Sequence, residues 1–350
     1  MADLRRNPAV DALRAFAILG MMAAHTSRLI TLESRQAWSH WILLLEPVIP
    51  SLFLFLVGIS LTYSLAKAEN PRAWYFRQAR RAMGLWLISA LFFALEDGIR
   101  LPDVLIASGI LCTIAYSILS LGAVLLLSRR VWVLSLLSGL GLLVFILLDR
   151  SGANTFPLIS GNSPFFPLWL FAVAGTLWGF VMRRAPRIIP WIGFSAMAVA
   201  VWTISHYGWE PLFTHPLGRS DATRVLAAPF IGGGTVKRVA YYNLRPLLSL
   251  LCLSLNIGVL WLASAVLSRV KEARTRGFLI LGRHSLEVYV LHLFLLALLV
   301  VSFGLRPLKT AWQGNLVLIG VVAICFGWAF LREKLDMERF NLFSTHKIRK

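Results

Sequence analysis

Acidic residues are scarce in this chain: 16 Asp+Glu stand against 35 Lys+Arg in 350 residues, a formal charge of +19. Charge of either sign is also scarce, at 15% of residues, where soluble domains carry about 25%. Cysteine is almost missing. Cys112, Cys252 and Cys325 lie singly inside apolar runs and form no CxxC pair, so neither a metal site nor a disulfide framework is suggested. Each reads as a small buried apolar residue. No internal repeat is visible, and an inverted-repeat transporter gains no support.

What the chain does have is apolar sequence. Hydrophobic residues make up 58%, and the mean hydropathy is +0.72. A membrane helix needs roughly 20 apolar residues, so ten spans would use about 200. Apolar runs near 9–29, 41–65, 82–99, 103–127, 131–148, 164–182, 187–206, 246–268, 278–302 and 312–331 are bounded by charge or by Pro and Gly clusters. The expected fold is an all-α polytopic membrane protein, a bundle of about ten transmembrane helices. A small cytosolic enzyme, a secreted disulfide scaffold and a disordered tail are excluded.

The basic excess then acquires a meaning. With an internal N-terminus and alternating spans, cations fall about two to one on the cytoplasmic side, which fits positive-inside topology. Both termini are expected in the cytoplasm. The cations are dispersed over short loops rather than gathered in one domain, which argues against nucleic acid as a partner. Arg5 and Arg6 before an apolar run resemble a signal peptide, but Asp11 and Arg14 interrupt that run. It reads as a retained first helix, with Asn7 as cap and Pro8 at the first helical position. The chain is expected to form one transmembrane domain over 1–350, with a long external loop at 207–245 and a basic cytoplasmic tail at 332–350. The glycines 232–234 in that loop lack the Lys-Ser/Thr of a phosphate loop and signify flexibility alone.

Ionisable groups inside spans are costly and are candidates for function. In the first helix, Arg14 and His25 are eleven residues apart, which puts them on one face about 16 Å apart. Arg14 falls near the cytoplasmic end, His25 near the external end, and Asp11 beside Arg14. A snorkelling arginine and an interfacial histidine read equally well from this spacing. The second span adds His40 at the external mouth and Glu46 about two turns deeper, followed by Pro47 and Pro50, which are expected to kink the helix. Imidazole is suited to proton transfer near neutral pH, and Glu96 and Asp97 at the same face are candidates to orient one. In the stretch LGRHSLEVYVLH, Arg283 and Glu287 stand one turn apart and are expected to pair. Ser285 and His292 share a face, either as a Ser–His packing bond or as part of a substrate tunnel. Arg77, Arg80 and Arg81 form a compact guanidinium cluster that suits phosphates, and equally suits anionic lipid.

The segments DALRAFAILGMMAAH through SLFLFLVGISLTYSL (Asp11 to Ser64) resemble the opening of the transmembrane acyltransferases. SGILCTIAYSIL and LGRHSLEVYVLH are similar to further stretches of that superfamily. The resemblance is nearest to bacterial relatives of heparan-α-glucosaminide N-acetyltransferase, and Arg14 with His25 is similar to the acyltransferase-3 pattern. It implies ten or eleven helices, with acyl-CoA (acetyl-CoA) as co-substrate from the cytoplasm and a sugar or glycan acceptor at the opposite face. Arg14, Arg77, Arg80, Arg81, Arg283 and His284 become candidates for the coenzyme, and His25 or its rival His40 for the catalytic histidine. Asp11, Glu46, Glu96, Asp97, Ser285 and His292 are candidates for support or for substrate. No metal is implied. The expected location is the bacterial inner membrane, in the lipid bilayer, with a homo-oligomer left open. Ala15 stands where the family has glycine after the arginine. A transporter or flippase using the same buried charges remains the alternative function.

Overall fold

The computed structural model describes residues 7–27, 29, 42, 45, 47–97, 99, 101, 103–106, 108–150, 165–208, 223–226, 236–239, 246–270, 272–303, 308 and 310–347. Twelve helices run through them: α1 (Pro8–Ser27), α2 (Val48–Ala66), α3 (Pro71–Asp97), α4 (Asp103–Ile106), α5 (Ile110–Leu127), α6 (Val131–Arg150), α7 (Phe165–Arg184), α8 (Ile189–Tyr207), α9 (Pro246–Leu267), α10 (Glu272–Arg283), α11 (Ser285–Phe303) and α12 (Ala311–Lys347). Among the described residues, seven helical segments are long and apolar enough to cross a bilayer, and α10 with α11 passes as an eighth only when the pair counts as one bent span. Large apolar side chains such as Leu136 and Leu140 on α6, and Trp191 and Phe194 on α8, are exposed, as suits contact with lipid. The chain is a multi-pass membrane protein.

Two compact units make up the chain. One comprises residues 1–5 and 50–261, the other residues 6–49 and 262–350. In the first unit, α3 packs on α5, and α7 packs on both α5 and α6. Glycines permit one very close crossing there. A methyl group added at Gly58 of α2 would run into the backbone of Ala172, and one at Gly175 of α7 into the backbone of Phe55. Thr62 donates across the same contact to the carbonyl of Thr176 at 3.1 Å. Small residues spaced by four let two helix backbones approach in this way within a membrane.

The expected span 103–127 is broken. α4 ends at Ile106, and α5 starts after Gly109, whose φ of 120° is a backbone region that glycine adopts without strain. Carbonyls freed at the break are satisfied by α3 and α5: Leu105 accepts from Trp86 Nε1 at 2.9 Å and from the Tyr116 hydroxyl at 2.6 Å, and Ser108 accepts from Ser89 at 3.0 Å. Pro50 makes no mid-helix kink, because α2 begins at Val48 and leaves Pro50 in the first turn, where its missing N–H costs nothing. The loop 207–245 contains a short antiparallel ribbon, with Thr223–Leu226 paired to Val236–Val239 and Arg224 opposite Arg238. Cys112, Cys252 and Cys325 are all buried, as expected of small apolar residues.

In the second unit, α1 packs against α10, α11 and α12, and those three pack on one another. The span expected as one helix over 278–302 is two, α10 and α11, meeting at His284 with a bend of 78°. α12 is continuous for 37 residues, about 55 Å, so residues 332–347 prolong a helix.

Candidate active site

The first helix begins as its sequence implies. Asn7 Oδ1 accepts from the N–H of Ala9 at 2.9 Å, and Pro8 occupies the first helical position, where no amide hydrogen is needed. Most of the helix is buried, with Ala15, Ala17, Ile18 and Met22 excluded from solvent. Its ionisable groups stand at the two ends, and each end meets a different part of the C-terminal helices.

At the N-terminal end, Asp11 is 2% exposed and accepts from Arg14 Nη1 at 3.3 Å. Arg283 Nε lies 3.9 Å from the other oxygen of the same carboxylate. This approach depends on Gly282, since a Cβ there would strike the backbone carbonyl of Asp11. Arg283 also donates through Nη1 to Glu333 at 2.7 Å, and His284 Nε2 lies 3.0 Å from the second Glu333 oxygen. Two carboxylates and two guanidinium groups therefore interlock across α1, α10 and α12, with His284 joined to them. The expected Arg283–Glu287 pair is not made. The bend at His284 separates two residues that a continuous helix would have stacked, and Glu287 meets Arg332 at 3.3 Å instead.

At the other end, His25 Nδ1 is 3.1 Å from His292 Nε2. The ring centroids are 5.3 Å apart and the planes differ by 23°. At that centroid distance, so short an N···N separation requires both nitrogens to point almost straight at each other. The rings are thus joined edge to edge by a hydrogen bond rather than stacked face to face. His292 is fully buried, its Nδ1 lies 3.4 Å from the carbonyl of Val288, and Tyr289 packs against its ring at 5.0 Å and 81°.

The sequence marks His25 as a candidate base and His292 as a packing or substrate-tunnel residue, and the structure brings the two together. Ser285 is buried on α11 but makes no bond to His292. Seven residues of helix separate them by about 10 Å along the axis, too far for a direct bond. Arg77, Arg80 and Arg81 lie exposed on the N-terminal half of α3, and no ion pair is found for them among the described residues. Asn70 caps that helix through the amides of Arg72 and Ala73. His40 and Glu46 lie outside the described residues, as do the glycines 232–234, and Glu96 and Asp97 are described only as backbone at the end of α3. Glu333 is the residue that sequence reasoning missed. Its signal was present: a carboxylate where the last apolar run gives way to LREKLD.

A family model described as heparan-alpha-glucosaminide N-acetyltransferase, catalytic, matches residues 6–232, well over half of the chain. The chain belongs to this family. Membership makes it an acetyltransferase by descent and agrees with the resemblance carried by the Asp11–Ser64 segment. Asp11, Arg14 and His25 fall within the matched residues, whereas Arg283, His284, His292 and Glu333 fall outside them. No curated protein matches the chain.

Proposed function

We propose that this protein moves an acyl group, acetyl in the simplest case, from cytoplasmic acyl-CoA to an amine or hydroxyl of an extracytoplasmic sugar or glycan. The observation that carries the reading is the His25–His292 hydrogen bond, which puts a paired imidazole on the helix where the family match begins. His25 acts as the base. It takes a proton from the acceptor, whose nitrogen or oxygen bonds to the thioester carbonyl carbon. The carbon–sulfur bond breaks, and the imidazolium returns the proton to the departing sulfur. The balance is complete without a metal or a redox partner. If His25 is instead a transient acyl carrier, labelled acetyl will appear on the protein before any acceptor is added.

In this reading α1 and α3 cross the bilayer together with the seven apolar helices and the bent pair, giving about ten spans with both termini in the cytoplasm of a bacterial inner membrane. The exposed Arg77, Arg80 and Arg81 then face the side from which the coenzyme comes and suit its phosphates. Arg14, Arg283 and His284, by contrast, are already engaged with Asp11 and Glu333. They hold the cytoplasmic end of α1 in register for the histidine about 16 Å away.

The test is transfer of radiolabelled acetyl from acetyl-CoA to amino sugars and sugar hydroxyls by purified protein in detergent. The reading expects His25→Ala to abolish transfer. Unchanged transfer in both His25→Ala and His40→Ala would refute the histidine's role. A transporter would neither consume acetyl-CoA nor be thermally stabilised by CoA.

A further inference from the structure

His292 has polar neighbours of two kinds, the backbone carbonyls of Val288 and Tyr289 and the ring of His25. Its Nδ1 faces the Val288 carbonyl at 3.4 Å, and its Nε2 faces His25 Nδ1 at 3.1 Å. A carbonyl oxygen only accepts, so the single hydrogen of a neutral His292 belongs on Nδ1. Its Nε2 then holds the lone pair and can only accept. His25 must donate from Nδ1, which leaves the lone pair of a neutral His25 on Nε2. A backbone carbonyl at Nδ1 of His292 thereby fixes the proton positions on two rings in succession.

We infer that His292 is a positioning residue: it holds His25 in the Nδ1–H form and aims its Nε2 as the basic atom. The inference rests on the acyl-transfer reading and deepens it. When His25 takes the acceptor's proton on Nε2, it becomes an imidazolium that still donates Nδ1–H to His292, and His292 neither gains nor loses a proton. An orienting carboxylate would do the same work at the cost of a permanent charge in an apolar interior. A neutral imidazole orients its neighbour without that charge. It lies on α11, beyond the residues that the family match covers, so the catalytic histidine and its orienting partner come from opposite ends of the chain.

The experiment reads the imidazole nitrogens directly. Full-length protein in lipid nanodiscs is labelled with 15N-histidine, and the seven histidines are resolved by single His→Asn replacements. In the unaltered protein, His25 and His292 are both expected with hydrogen on Nδ1. His292→Phe keeps a ring of similar size but accepts nothing, so His25 should lose its Nδ1–H preference and kcat should fall on the order of 10²-fold or more, with KM little changed. His292→Gln places an amide oxygen near the same point and should restore both the Nδ1–H form and most of kcat. A wild-type His25 that carries hydrogen on Nε2 overturns the inference, and so does a His292→Phe variant with His25 still on Nδ1–H. So does His292→Gln behaving like His292→Phe. Absence of acetyl transfer from the wild-type protein would instead defeat the acyl-transfer reading, whatever the tautomer.

Discussion

Among the described residues, an Arg–Glu pair joins α12 to α10 and another joins it to α11, and the two differ in exposure. Arg283–Glu333 is short, at 2.7 Å, and its side chains are 21% and 18% exposed. Arg332–Glu287 is 3.3 Å long, with side chains 31% and 44% exposed. A charge-assisted hydrogen bond contributes about 1.5–3 kcal/mol where water is partly excluded, and an exposed pair contributes about 0–1 kcal/mol. The double-mutant cycle of Arg283→Ala with Glu333→Ala is therefore expected to give a coupling of about 2 kcal/mol. The cycle of Arg332→Ala with Glu287→Ala should give about 0.5 kcal/mol or less. Glu333→Ala alone should cost about 3 kcal/mol, because it strips a partner from Arg283 and from His284 together. Reversible unfolding in mixed micelles, followed by tryptophan fluorescence, measures each corner of both cycles. Equal couplings in the two cycles would refute the reasoning, since distance and burial would then not decide the strength of these pairs.

Three further outcomes follow from the packing. Gly282→Ala drives a methyl group into the Asp11 backbone, so it should destabilise by about 1–3 kcal/mol where a glycine facing open space, such as Gly320, tolerates alanine; unfolding of the two variants under one condition compares them. Asn7→Ala removes the cap on the Ala9 amide and should cost about 1 kcal/mol, with Asn7→Asp restoring it, as read by the same titration. Replacing Arg77, Arg80 and Arg81 together by glutamine should raise KM for acetyl-CoA and weaken its salt dependence while leaving unfolding nearly unchanged, because all three side chains are exposed.

Local features were the most readable in the sequence. The Asn7 cap, the Pro8 start and the buried cysteines depend on a few neighbouring residues and were found where the pattern put them. Apolar runs located most of the helices for the same reason. Two failures share one cause. Arg283 and Glu287 have the spacing of a helical pair, and the run 278–302 has the composition of one span, yet close contact of Gly282 with α1 goes with a bend that periodicity does not encode. The site was legible as a list of residues and illegible as a set of partners. His25 and His292 were both marked out by being polar in apolar helices, but they are 267 residues apart in sequence, and nothing local says that they touch. Glu333 stands between Arg332 and Lys334 in a segment of mixed charge, and nothing local says that its partners are Arg283 and His284.

The long α12 and the early α1 belong to the same unit, and that arrangement sets an order on biogenesis. Asp11 and Arg14 leave the ribosome together as a local pair, but Arg283 follows some 270 residues later. At roughly 5–20 residues per second, the first helix waits about 15–50 s for the helices that bury it. Throughout that interval it is a weakly hydrophobic segment, with a charged first turn and a histidine near its far end. Its insertion depends on the translocation machinery or on surrounding lipid to hold it until the C-terminal helices arrive. Ribosomes stalled before α10 should therefore yield a chain in which α1 is still accessible to protease, and release of the full chain should close it.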